Sequence, residues 1–269
     1  MNDERLEVVW YAVRLCVVYS ILFMTVQAIA LRLLESLLIA LHADMAAYYL
    51  QYRPIAEELI LAAAVFAGIL PVLREGQREI LRVQNTGGGF SRSFRTDDPS
   101  SSLVFAAGSL CLSLALNITL LSLPALGGPQ AMSEGITAAS LPLAAVVYGL
   151  LTPLAEEMIY RGLMFARLRT AFGFWQSAAV SALVFGISHG NLRQGIYGFV
   201  MGIVLAAGYE MFGRFAYPVI LHSMCNLCIL LMNSSGTLEL VRSPAWAALF
   251  WMLTVAFMVF WRQKMHIEH

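Results

Sequence analysis

Apolar residues in this chain come in long blocks, not at alternating positions. Eight blocks stand out, at residues 8–30, 59–73, 103–123, 141–170, 175–188, 195–212, 216–232 and 245–261. A helix needs about 20 mostly apolar residues to cross a bilayer. The pattern therefore predicts an all-α fold, a polytopic membrane bundle of about eight transmembrane helices. The block at 59–73 is short and holds Pro71, a helix breaker.

The polar stretches divide the chain. Residues 31–56 mix Arg32, Glu35, His42 and Asp44 with Tyr48, Tyr49 and Tyr52, which predicts an interfacial helix and a loop. Residues 74–102 carry five arginines and a Gly87-Gly88-Gly89 triplet, which predicts an amphipathic start followed by a flexible linker. The expected organisation is residues 1–102 as N-terminal transmembrane helices and a cytoplasmic linker, and residues 103–269 as the main bundle.

Composition agrees with a membrane protein: 59% of residues are hydrophobic, 13% are charged and the mean hydropathy is +0.71. A soluble domain carries roughly twice that charged fraction. Zero formal net charge gives no sign of a nucleic-acid partner. Arginine outnumbers lysine 16 to 1, a bias of GC-rich bacterial genomes. The distribution of basic residues matters more than their sum. With the N-terminus in the cytoplasm, thirteen fall inside, among them Arg5, the five arginines of 74–102, Arg167, Arg169, Arg214 and Arg262. Only Arg32, Arg53, Arg193 and Arg242 fall outside. The positive-inside rule then places both termini in the cytoplasm. The first block is too long for a signal-peptide core, so no cleavable leader is expected.

The four cysteines, Cys16, Cys111, Cys225 and Cys228, lie in apolar blocks and read as packing residues. Gly198 and Gly202 form a G-x-x-x-G, which lets helix backbones approach closely.

The chemistry concentrates where charge interrupts these blocks. Glu156 and Glu157 sit together in an apolar run, with Arg161 four residues after Glu157. An acidic side chain at mid-membrane costs roughly 3 kcal/mol. A Glu157–Arg161 pair at i, i+4 relieves one of them and leaves Glu156 to be explained. Two further pairs share a helix face at i, i+4: Phe185 with His189, and His222 with Asn226. Counted from a turn near residue 172, Glu156 and His189 both lie about 25 Å along their helices, at matching depth. A carboxylate in low dielectric is a stronger base than in water, and with an imidazole it can activate water against a carbonyl. A second histidine and an amide supply donors for the oxyanion. Glu156, His189 and His222 are alternatively a zinc ligand set, although the H-E-x-x-H signature is absent. Glu57-Glu58 echoes the acidic pair but lacks the following arginine and reads as an interfacial cap of the second helix.

Glu156-Glu157-x-x-x-Arg161, Phe185-x-x-x-His189 and His222-x-x-x-Asn226, in this order, resemble the three motifs of the CPBP intramembrane proteases. That family includes the CAAX prenyl endopeptidases and bacteriocin-processing or self-immunity relatives. The resemblance covers residues 140–232. It implies an eight-helix membrane fold with a polar cavity inside the bilayer, and an endopeptidase acting on a membrane-associated peptide or protein near the cytoplasmic side. It also implies a bacterial cytoplasmic-membrane location. Glu156 would activate water with His189, His222 and Asn226 would hold the oxyanion, and Glu157, Arg161 and Phe185 would support them. The family resembles metal-independent enzymes, so no cofactor is expected, with zinc as the alternative. A different class stays open, an immunity or scaffold protein using the polar cluster for stability alone.

Overall fold

The computed structural model describes residues 3–40, 44, 53–85, 98–123, 126 and 140–267. These residues fold as helices: α1 (Asp3–Ala40), α2 (Arg53–Ile69), α3 (Leu73–Asn85), α4 (Pro99–Leu121), α5 (Leu141–Leu168), α6 (Phe174–Ser188), α7 (Leu192–Phe212), α8 (Ala216–Ser234) and α9 (Pro244–Ile267), with a single turn at Thr237–Leu240 before α9.

Among the described residues six helices are long and apolar enough to cross a membrane, and a seventh span results if α2 and α3 count as one bent crossing. Eight were expected. The shortfall is α6: its 15 residues reach about 22 Å at 1.5 Å per residue, short of the roughly 30 Å hydrocarbon core. The second correction concerns α1. It runs for 38 residues, because Arg32 and Glu35 do not end the helix, so the expected interfacial element is continuous with the first block. The tyrosines at 48, 49 and 52, His42, the glycine triplet and most of segment 127–140 lie outside the described residues.

Local chemistry explains the helix boundaries. Asp98 caps α4, accepting from the Ser101 amide at 2.9 Å, with Pro99 at the first helical position. Asn191 caps α7 through the Gln194 amide at 2.9 Å, and Gly213 ends that helix in the left-handed region at φ 62°. Pro71 separates α2 from α3, which leave it at 68° to one another. The charged, amphipathic α3 then lies across the end of α5: Arg82 donates to the Ala166 carbonyl at 3.0 Å, and Glu79 pairs with Arg82 and Arg167.

Helices that follow one another in the chain from α4 to α9 run in opposite directions, so the bundle has two distinct ends. One end holds the start of α1, the second half of α3 and the α5–α6 turn, where Arg5 lies 5.7 Å from the Phe172 ring and Arg169 binds Glu210 at 2.8 Å. The C-terminus of α9 joins it, since Trp261 packs on Phe105 near the start of α4. The other end holds the C-termini of α4, α6 and α8 and the start of α7. There Arg242 reaches the Leu121 carbonyl at 3.2 Å.

Small residues press α6 against α7. A Cβ on Gly186 would lie 2.6 Å from the Gly195 carbonyl oxygen, and one on Gly202 would lie 2.8 Å from the Ala182 Cβ. The glycine pattern thus serves close packing, as expected. Gly186→Ala should lower thermal stability in detergent by roughly 1–3 kcal/mol through overpacking. Gly173→Ala, whose Cβ would meet nothing closer than 3.8 Å, should shift it far less. Equal melting curves for Gly186→Ala and the parent would refute the close approach.

Candidate active site

The site begins with an irregular helix. Within α5, residues Val147–Leu151 and Met158–Phe165 wind in the wider π register. Thr152 N–H reaches back five residues to the Val147 carbonyl. In that register the Tyr148 carbonyl would take its bond from residue 153, which is proline and has no N–H. Asn226 of α8 supplies the missing donor, with Nδ2 bonding the Tyr148 oxygen at 3.0 Å. A primary amide has two N–H groups, so this one bond orients the Asn226 side chain, which also lines the pocket. Ser181 of α6 serves the second π segment in the same way, donating to the Tyr160 carbonyl at 2.7 Å.

The two glutamates sit in different surroundings. Glu157 is fully buried and accepts from Arg161 Nη1 at 2.8 Å, and Arg161 is fully buried as well. Glu156 keeps 18% of its side chain accessible and lines a pocket of about 420 Å³. Sequence reasoning assigned Glu157 to Arg161, and the structure places that ion pair as expected. It also shows a third member that the sequence did not reveal. His222 Nδ1 lies 2.9 Å from the Glu157 carboxylate, and its Nε2 lies 3.7 Å from Glu156. One imidazole therefore bridges both carboxylates.

His189 ends α6 and shares the pocket, but it does not come within ion-pair distance of Glu156. Its Nδ1 lies 2.8 Å from the Phe185 carbonyl. That oxygen only accepts, so Nδ1 carries the proton and a neutral ring leaves Nε2 as an acceptor. The same reasoning puts a proton on His222 Nδ1, because an ionised Glu157 only accepts.

Phe185 is the hub. Its ring centroid lies 4.8 Å from that of His189, 5.8 Å from His222 and 4.9 Å from Tyr160. The Arg161 guanidinium lies 4.6 Å from the same ring. Two Arg161 nitrogens, Nε and Nη2, have no hydrogen-bond acceptor, so the aromatic face provides much of the compensation that this buried cation receives.

Sequence reasoning missed other lining residues: Gln27, Asn117, Tyr148, Thr152, Arg193 and Tyr197. Thr152 was findable, one turn before Glu156 and so on its face. Gln27 had only its polarity within an apolar block. The alternative zinc set fits poorly: among the described residues no three His, Cys, Asp or Glu side chains converge as a metal ion requires. Glu58 needs a correction. It is 2% exposed rather than an interfacial cap, and its neighbour Glu57 pairs with Arg53 at 2.7 Å.

Fold and site together define a polytopic α-helical membrane protein with a pocket built on paired carboxylates and two imidazoles. Residues 138–228 match the model of the type II CAAX prenyl endopeptidase Rce1-like family. Over that segment, about a third of the chain, the sequence is similar to this family of membrane proteases. Two curated relatives are similar over part of their length. "Putative membrane peptidase YdiL" of Bacillus subtilis is 31% identical over 114 residues, 42% of this chain and 44% of YdiL. "Membrane-embedded CAAX protease MroQ" of Staphylococcus aureus is 28% identical over 97 residues, 34% of this chain and 39% of MroQ. The matched region thus spans less than half of either relative. No solved structure matches the chain.

The buried pair gives a stability prediction. Arg161→Met should destabilise the protein by roughly 3–5 kcal/mol, because it strands the Glu157 charge. Adding Glu157→Gln should recover part of that loss. Thermal unfolding in detergent of both single variants and the double variant reads the coupling, and simple additivity would disprove it.

Proposed function

We propose that this chain is an intramembrane endopeptidase in which Glu156 activates water to hydrolyse a peptide bond of a membrane-associated peptide or protein. The observation that carries this reading is the linked series Arg161–Glu157–His222–Glu156, which leaves only its last carboxylate facing the pocket. The pocket lies at membrane depth in this reading, between helices long enough to span.

Each residue takes a role that its contacts support. Glu156 accepts a proton from water, and the unprotonated Nε2 of His189 holds the same water by accepting its second hydrogen. The hydroxide equivalent attacks the carbonyl carbon, and the C=O electron pair moves onto oxygen. His222 Nε2–H and the spare Asn226 N–H then bond that oxyanion. For His222 to donate from Nε2 while Nδ1 donates to Glu157, the ring must carry both protons. Arg161, Glu157, His222 and Glu156 then sum to zero charge. As the proton moves to Glu156, the negative charge moves to the oxyanion and the site stays neutral, which suits low dielectric. Collapse of the intermediate expels the amine, which takes the proton back from Glu156. Glu157, Arg161 and Phe185 position His222 and do not touch substrate.

No step requires a metal. The reading places both termini in the cytoplasm of a bacterial membrane, with a polypeptide substrate and no nucleic acid.

Glu156→Gln should lower cleavage by roughly two to four orders of magnitude, the usual worth of a general base, while the protein stays inserted and folded. Comparative mass spectrometry of membrane peptides from cells carrying the wild type or the variant reads it. Identical peptide profiles would overturn the assignment, and activity lost on exhaustive chelation would transfer the water-activating role to a metal.

A further inference from the structure

The pocket belongs to one end of the bundle, and that end is not the basic one. Its lining comes from the C-terminus of α4 (Asn117), the C-terminus of α6 (His189), the start of α7 (Gln194) and the C-terminus of α8 (Asn233). At the opposite end stand Arg5 against Phe172, Arg82 and Arg167 about Glu79, and Arg169 on Glu210. Arg78 and Arg214 are exposed there.

The protein closes the way from Glu156 to that basic end. Glu157 and Arg161 have no accessible side-chain surface, and Met158–Phe165 is buried at every residue. Phe165, Ala206 and Tyr209 then fill the space between α5 and α7. Arg167 lies eleven residues beyond Glu156, about 16 Å along the helix. A substrate reaching Glu156 therefore enters from the Gln194–Asn233 end.

Basic residues near span ends mark the cytoplasmic face. We infer that the pocket opens toward the extracytoplasmic side. Its substrate class is then a polypeptide bond already across the membrane, in a translocated peptide or in the outer juxtamembrane segment of a membrane protein. This rests on the proteolytic reading above and reverses the expectation of cleavage near the cytoplasmic face. The mouth also carries cations of its own, Arg193 and Arg242, so the asymmetry is one of number and not of complete exclusion.

The test reads orientation without turnover, so its failure is separate from failure of the proteolytic assignment. The four native cysteines are replaced, and single thiols are introduced as Glu239→Cys and Gln194→Cys at the mouth end and as Arg78→Cys at the basic end. Glu239 and Arg78 have 74% and 72% of their side chains exposed. A membrane-impermeant maleimide is applied to intact spheroplasts, then to permeabilised ones. The two mouth thiols should label in intact spheroplasts, and the Arg78→Cys thiol only after permeabilisation. Labelling of Arg78→Cys in intact spheroplasts, with the mouth thiols protected until permeabilisation, would overturn the proposal.

Discussion

The contact between Arg161 and Glu157 governs the arrangement of the bundle. Two full charges with no accessible surface carry a desolvation penalty of several kcal/mol each, and their mutual attraction offsets it only with good geometry and further partners. Those partners come from other helices. Phe185 of α6 places its ring under the guanidinium, and His222 of α8 donates to the carboxylate. Gly202 of α7 leaves room beside Arg161 Nη2, which a Cβ there would approach to 3.2 Å. A single pair on α5 thus sets where three neighbouring helices can sit. The residues that satisfy the charge are the ones that frame the pocket.

The irregular winding of α5 belongs to the same constraint. A regular helix presents residues at 100° intervals, and each π turn shifts that phase. Pro153 removes a donor inside a span, where an unpaired carbonyl is costly. The helix widens, and Asn226 crosses from α8 to satisfy the Tyr148 carbonyl. The bond that repairs the backbone also orients an amide beside the carboxylates. One residue therefore completes the backbone of α5 and forms part of the pocket wall, and its removal would disturb both.

This explains which parts were legible beforehand. Spacing along a helix is a local property, so the Glu157–Arg161 pair and the shared face of His222 and Asn226 were readable from i, i+4 alone. Depth was readable along the α5–α6 hairpin, which brought Glu156 and His189 to one pocket. Lateral facing was not readable, because two π segments break the 3.6-residue phase. Hence His222, and not His189, is the imidazole beside Glu156. The length of α1 escaped for another reason: Arg32 and Glu35 are good helix formers, and polarity by itself does not end a helix. The span count failed at α6, where an apolar block of the right character is too short to cross.

The two histidines show how much second contacts decide. In sequence they are equivalent, each one turn from a partner on its own helix. In the structure a backbone carbonyl holds one and a buried carboxylate holds the other. A neutral oxygen fixes the tautomer of His189 and leaves its far nitrogen as an acceptor, suited to holding water. The Glu157 carboxylate, already paired with Arg161, takes the Nδ1 edge of His222, and Glu156 lies 3.7 Å from its Nε2 edge. In the proposed mechanism that ring donates on both edges, as a developing oxyanion requires. The difference between the two rings therefore resides in the Phe185 carbonyl and the Glu157 carboxylate as much as in the imidazoles themselves.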